Sequence, residues 1–507
     1  MLKLDIPGEG RVLDVAGPYL SHFIWVGIAG YLLLTLYQGL LGATSGIPGP
    51  WLARFTRFWL FKETRFGRFE KVNIELHKKY GPVVRIAPST FSINDPAALK
   101  TIYSSGSKFP KSDFYHPFGD PGKEQKHLFS EQNNQLHALN RRKTSSLYSM
   151  STLVTYEPFV DRCNQMLCDR LDSFAKDKEA FDVPTWMQYY AFDVIGDITT
   201  SEPFGLLKTG HDAWGVLKAI DEILKYGSTI GIFPELHDWI AFASRLLRQA
   251  TPLESVNAYV LRQIDTRSGE SDEKISSRND FLSRLLALKS AHKVNDFQLF
   301  TTVGANIAAG SDTTAISLSS VVYSLLKNPE AERKLRKEID SLARDGKLSE
   351  QVTFEQARQM PYLQACIKEA LRVHPATGRP LVRDVPFEGV TLAGKYFPGG
   401  SSVGVNTWVI HNNEEVFGPD AAEFRPERWL ENDKETLSFM EQNFIPFGAG
   451  ARTCIGKNIS LLEMSKVIPQ LYRKYEFELA PGEEMTTWEA WFVKPKFRCF
   501  VRERKDI

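Results

Sequence analysis

The chain has 507 residues, 43% of them hydrophobic, with 62 Lys plus Arg against 61 Asp plus Glu. So much apolar material builds a large core and excludes a disordered chain, and a net charge of +1 leaves no field to gather nucleic acid. Cys163, Cys168, Cys366, Cys454 and Cys499 form no CxxC pair and no even framework, so neither a zinc finger nor a disulfide scaffold is expected.

Residues 15–53 contain no Asp, Glu, Lys or Arg, and within them Tyr19 to Leu41 is almost wholly apolar. About 20 such residues span a hydrocarbon core, so a transmembrane anchor is expected over 19–41, behind a short luminal segment, 1–18. The rival is a cleaved signal peptide, with Gly42-Ala43-Thr44-Ser45-Gly46 as its small-residue site; the run is long for that, and the N-terminus lacks a basic cluster. Arg54, Arg57, Lys62, Arg65, Arg68 and Lys71 follow, a basic excess that marks the cytosolic flank. Aromatic residues between them (Phe55, Phe58, Trp59, Phe61, Phe66, Phe69) also suit a lipid interface. Ile47-Pro48-Gly49-Pro50 makes residues 42–53 a stiff, non-helical connector, and 54–507 is expected to be one domain.

In that body, Val83 to Ile93 reads as strand with a break at Pro88. Glu131 to His374 reads mostly as helix. Asn328-Pro329 starts one helix, with Asn as the cap; Pro361 starts another, which Pro375 stops. The Gly- and Pro-rich run from Gly389 to Ile410 reads as strands and turns. The expected class is mainly α with a smaller β portion, α+β.

Four motifs carry chemistry. The first is Phe447-Gly448-Ala449-Gly450-Ala451-Arg452-Thr453-Cys454-Ile455-Gly456, a glycine-rich loop entering a helix, with a lone cysteine at the junction. A helix N-terminus lowers a thiol pKa; Gly456 leaves room for a flat ring; Arg452 suits a carboxylate on that ring. A buried structural cysteine or a nucleophile without a signalled His partner are the competing readings. The second is Ala309-Gly310-Ser311-Asp312-Thr313-Thr314: Asp312 is the sole charged residue between Phe297 and Leu326, so it is either paired structurally or serves chemistry. The third is Glu369 and Arg372, one helical turn apart, with Arg428 in Phe424-Arg425-Pro426-Glu427-Arg428-Trp429. The fourth is His137 and Arg141, four apart, with Arg383 after Pro375.

Together and in this order these motifs resemble the cytochromes P-450, from about Ile47 to Cys499, and most of all the fungal branch that includes pisatin demethylase. The resemblance implies that fold and a haem b held by the Cys454 thiolate, with Phe447, Gly450, Arg452 and Gly456 forming its loop. It implies that Thr313 hydrogen-bonds the oxygen and Asp312 helps relay protons, with Ala309 and Gly310 leaving space. Glu369, Arg372 and Arg428 lock the fold, while His137, Arg141 and Arg383 meet the propionates. His137 departs from the Trp usual at its position, which keeps a donor but loses ring contact. The implied activity is a monooxygenase of a small apolar, ring-containing substrate in fungal secondary metabolism. It takes O2 and electrons from an NADPH-dependent cytochrome P-450 reductase, with Lys457 and Arg141-Arg142-Lys143 as a docking face. The expected location is the endoplasmic reticulum membrane, single-pass, with the body in the cytosol. Family positions put the pocket at the loop from Phe109 to Phe118, at Gly304, Ala305 and Ala309, at Thr377 to Leu381, and near Trp488 and Trp491. The alternatives are a haem-thiolate isomerase or dehydratase, which needs no reductase, and a non-catalytic haem-binding membrane protein.

Overall fold

The computed structural model describes residues 9–119, 125–247 and 252–505; the side chains of 9–21, 24, 272 and 276 lie outside what is described. Residues 1–8 of the expected luminal segment lie outside the described residues, and its remainder, 9–18, belongs to the first helix. Glu9–Leu40 is one helix. Among the described residues, however, no helix is long and apolar enough to cross a membrane. The described part of the 19–41 run is broken by His22, Thr35 and Gln38, while its first residues lie outside.

Residues 48–50 are non-helical, as the two prolines require. The connector nonetheless packs into the body. Ile47 and Ala53 are buried, the Arg85 amide donates to the Pro48 carbonyl at 2.8 Å, and Arg54 donates to the carbonyls of Gly39, Ser45 and Ile47 at 3.2, 2.6 and 3.4 Å.

At the centre, Val183–Thr200 is buried around almost its whole circumference; its buried carboxylates are satisfied, Asp193 by the Leu206 and Leu207 amides and Asp197 by Arg162. Asp182 caps it by accepting the Thr185 amide, and Pro184 sits in the first turn. It packs on Glu157–Asp177 and on the pair Asp296–Gly310 and Asp312–Lys327. That pair is interrupted at Ser311, where hydroxyls compete for the backbone. Ser311, Thr313 and Thr314 donate to the carbonyls of Ile307, Ala309 and Gly310 at 3.0, 2.9 and 3.0 Å. Asp312 and Thr313 therefore open the second helix rather than sitting in the middle of one.

Val83–Ala87 pairs antiparallel with Thr90–Ile93 across the Pro88 break. Thr90–Ile93 pairs in parallel with Ser402–Val405, which pairs antiparallel with Arg383–Asp384. A hairpin joins Thr486–Ala490 to Phe492–Lys496. Its turn residue, Trp491, has φ +71°, a conformation an L side chain adopts only when its surroundings impose it. Pro329–Arg344 begins where expected, but Asn328 does not cap it: its amide turns back to the Ser324 carbonyl at 2.7 Å. Helix Pro361–Val373 runs between its two prolines as expected.

Candidate active site

Cys454 follows the short turn Gly450–Arg452 and precedes helix Lys457–Lys474. Its amide donates to the Phe447 carbonyl at 2.8 Å, which closes the loop. Gly450 has φ +62°, and a Cβ there would stand 1.6 Å from the Tyr103 carbonyl oxygen, so no other residue fits. Cys454 is the one cysteine of the five that is exposed. Desolvation by the surrounding protein raises the thiol pKa, while the Gly456 amide, the Arg141 guanidinium and the Lys457 amide pull it down. A Cβ on Gly456 would meet nothing nearer than that sulfur, at 3.9 Å, so the backbone there presents an open face.

Basic groups converge beside this loop. Arg452 donates to the carbonyls of Glu131 and Gln132 at 2.6 and 3.1 Å and to Asn134 Oδ1 at 2.8 Å. Arg383 is buried and donates to the Val382 carbonyl at 2.9 Å. Buried Lys111 donates to the Phe129 carbonyl at 2.6 Å and lies 4.2 Å from the Tyr115 ring centre. Burial, and then Arg383 and Arg452, pull the Lys111 ammonium well below its ordinary pKa. Burial and then Arg383 bring Arg452 down to about 10. Burial, then Arg452, Arg141, Lys111 and Arg383, hold His137 at about 3, so its ring is neutral at pH 7. Buried cations that depress one another call for an anion, and two haem propionates would supply it. The residues present therefore fit a haem: an exposed thiol, an open backbone face at Gly456, and a buried basic cluster at one side. Sequence reading missed Lys111, which stands in no motif; its place among Phe109, Phe114 and Tyr115 was the only signal.

Ala305 and Ala309 keep exposed surface and Thr313 keeps part of its own, each four residues from the last, while Asn306, Ile307 and Asp312 beside them are buried. Thr314 donates to the Ser460 hydroxyl at 3.0 Å, which ties this helix to the one that follows Cys454. Asp312 points elsewhere and is paired. It accepts from Gln188 Nε2 at 2.5 Å, and Lys494 Nζ stands 2.7 Å from its other oxygen. Lys494 also pairs with the half-exposed Asp221. Burial alone would lower the Lys494 pKa, but Asp312 and Asp221 outweigh it and hold it above the ordinary value.

Three positions differ from the expectation. A Cβ on Gly310 would approach Ile195 Cγ1 at 2.9 Å, so its smallness serves helix contact rather than oxygen space. Gly304 faces Val260, not the Ala305–Ala309 stripe. Trp488 is 51% exposed and lies over Gly67; strand alternation carries it outward. Trp491 is the inward residue, with Phe114, Tyr115, Phe118 and Phe129 ring centres 5.5–5.8 Å away. The Gly378 amide donates to its carbonyl at 3.0 Å, which sets Thr377 beside this roof, and Leu381 borders Gly448 of the cysteine loop.

Behind the loop, fully buried Glu369 accepts from Arg372 (2.9 and 2.7 Å), Arg428 Nε (2.8 Å), Trp429 Nε1 (2.8 Å) and the Arg425 amide (3.0 Å). His411, which no motif marks, extends this lock. Its Nδ1 donates to the Arg372 carbonyl at 3.0 Å and its Nε2 accepts the Ile445 amide at 3.0 Å, two residues before Phe447.

The chain matches the family model described as Cytochrome P450 over residues 48–500. It is 40% identical over 496 residues to a pisatin demethylase of Fusarium vanettenii, covering 96% of this chain and 94% of that one. It is 38% identical over 441 residues to a cytochrome P450 monooxygenase of Aspergillus terreus, covering 85% and 89%. A cytochrome P450 monooxygenase of Penicillium aethiopicum is 36% identical over 491 residues, 92% and 95% of the two chains. Site geometry, family match and relatives agree: this chain belongs to the cytochrome P450 family, oxidoreductases that carry cysteine-ligated haem b and act as monooxygenases with O2 and a redox partner.

Proposed function

We propose that Cys454 is the haem ligand, that Lys111, Arg141, Arg383 and Arg452 hold the propionates with neutral His137 beside them, and that the enzyme oxidises a small apolar, ring-containing fungal secondary metabolite. The observation that carries this reading is the stripe of Ala305, Ala309 and Thr313, the surface that two alanines and a hydroxyl leave accessible across the two helices that meet at Ser311, the second of which is tied to the Cys454 helix. A thiolate-ligated haem supplies the oxygen activation. Thr313 presents its hydroxyl on the accessible stripe, where its oxygen can accept a bond while its hydrogen goes to the Ala309 carbonyl, and the neighbouring Asp312, with Lys494 and Asp221, would form a route for protons from the surface. The Trp491 cluster, with Phe114 and Phe118, excludes water and offers flat apolar surface.

Electrons are proposed to come from NADPH through a membrane flavoprotein reductase, docking at exposed Arg142 and Lys457. The first helix is proposed as a single-pass anchor in the endoplasmic reticulum with the body in the cytosol. Exposed Trp239, Phe242 and Leu246 on one helix, and exposed Trp51 and Phe58 after the first helix, support contact with lipid. A cavity of about 850 Å³ lies between Tyr31 and Leu34 of the first helix and Phe114, Arg379 and Val382 of the body, a route from that side.

Product formation from candidate metabolites, measured with and without NADPH and reductase, under air and nitrogen, tests the reading. Cys454→Ala is expected to lose the red-shifted carbon monoxide band of the reduced protein, whereas Cys163→Ala and Cys499→Ala keep it. Thr313→Ala is expected to keep haem and NADPH consumption while diverting electrons to peroxide. Full yield without reductant or oxygen would replace the monooxygenase reading with an isomerase.

A further inference from the structure

His116, His237 and Asp238 bring their ligand atoms within 4.8 Å of one another, away from the haem site. They come from two separate elements. His116 lies in the turn Asp113–Phe118, which also carries Phe114, Tyr115 and Phe118 of the pocket roof. His237 and Asp238 open the helix His237–Leu246.

The spacing suits a small tetrahedral cation. Zinc holds nitrogen and oxygen ligands at about 2.0–2.2 Å, which places neighbouring ligand atoms roughly 3.3 Å apart. His116 Nε2 already stands 3.5 Å from Asp238 Oδ1. The two imidazole rings are nearly perpendicular, at 85°, with centres 5.0 Å apart, so they meet edge to face rather than stacked. His237 has a second feature of a metal ligand. Its Nδ1 is 2.8 Å from the Tyr226 hydroxyl, on a third element, Val216–Ile230. Tyr226 thereby fixes the orientation of the His237 ring, as an outer partner does for a metal-bound imidazole. His237 is buried, His116 half-buried and Asp238 exposed, so a metal enters from the solvent side and meets a fixed ligand at the bottom.

We infer that His116, His237 and Asp238 form a binding site for a zinc-like divalent cation, completed by water, which pins the roof segment 113–118 to the helix His237–Leu246. Two imidazoles select against calcium and magnesium, which prefer all-oxygen sites. The roof segment already rests closely on the third element: a Cβ on Gly227 of Val216–Ile230 would lie 2.5 Å from Phe118 and one on Gly231, which ends that helix, 2.6 Å from the Phe114 carbonyl. A metal bond from His116 to His237 and Asp238 adds a link between segment 113–118 and helix His237–Leu246 that solution conditions can make or break. The site stands on these residues alone; its consequence for substrate entry rests on the monooxygenase reading.

The test uses tag-free full-length holoenzyme in equilibrium dialysis against zinc, with metal counted per haem, and hydrogen exchange of residues 113–118 with and without zinc. One saturable zinc per chain is expected, and zinc is expected to slow exchange in 113–118. His116→Gln and Asp238→Asn, both toward the surface, are each expected to weaken it at least ~10-fold, and Tyr226→Phe about 10-fold, the size of an outer-shell loss, with the carbon monoxide band unchanged. Magnesium at the same concentration is expected to change neither readout. Equal zinc binding by wild type and His116→Gln/Asp238→Asn would overturn the site, as would the absence of saturable binding. Zinc bound at these residues with no change in exchange would overturn the pinning. Loss of turnover in candidate-substrate assays without either effect bears on the monooxygenase reading and leaves the site standing.

Discussion

Lys494 holds two carboxylates at once, buried Asp312 and half-exposed Asp221, and so gives the proton-bearing side of the site a connection to the surface. Replacing it with Met leaves Asp312 buried without its cation. Lys494→Met is expected to keep haem and its carbon monoxide band but to lose product formation by ~10-fold, below the roughly 10²–10⁴ of an acid–base group itself. Lys494→Arg is expected to restore much of it. Unchanged turnover in Lys494→Met would remove Lys494 from the route. Asp312 stood out in the sequence because it was alone in an apolar run, but its partner could not be read there. Lys494 sits in an alternating strand, where a lysine signals an ordinary outward face. Lys111 and His411 escaped for the same reason: each is made significant by neighbours distant in the chain. Trp488 and Trp491 show the opposite limit. Two tryptophans three apart in a hairpin cannot be assigned to faces until the turn is known, and the left-handed turn at Trp491 decides it.

The lock around Glu369 joins helix Pro361–Val373 to the segment holding Arg425, Arg428 and Trp429, and His411 carries it on to Ile445. Removing one partner of such a buried set leaves charges uncompensated, at a cost of about 3–5 kcal/mol. Glu369→Ala is therefore expected to yield little soluble haem protein; normal haem content with lost turnover would make Glu369 catalytic instead. Gly450→Ala is a second test of the loop, since its Cβ would collide with the Tyr103 backbone. Haem loading is expected to fail there, while Gly482→Ala, also at positive φ but in open space, loads normally. Element starts at Pro329 and Pro361 were legible because proline acts locally. The break at Ser311 was not, because it depends on which of several hydroxyls turn back to their own helix.

Over the whole molecule, buried histidines set the acid limit. His77 and His374 are held at about 4 and His411 at about 3, chiefly by burial. Unfolded, each takes up a proton below about 6.5. Folded, each stays neutral, so stability falls as pH drops from about 6.5 toward 4, by about 1.4 kcal/mol per pH unit for each ring. Glu70, pushed up to about 7 by burial, opposes one of them. The folded carboxyl keeps a proton that the unfolded one releases above about 4.5. Melting temperature against pH is expected to decline below 6.5, and His411→Gln, if it folds, to flatten that decline by one proton; an unchanged slope would show the ring already charged. Arg54 has a consequence at this scale too. By gripping three carbonyls around the end of the first helix, it turns what looks like a tether into a bracket. If that helix stands in a bilayer, the body cannot drift like a buoy on a line: its tilt, and the height of its openings above the lipid, are inherited from the angle of the helix. Polarised spectroscopy of the haem plane in oriented membranes is then expected to report one narrow angle, which Arg54→Ala broadens.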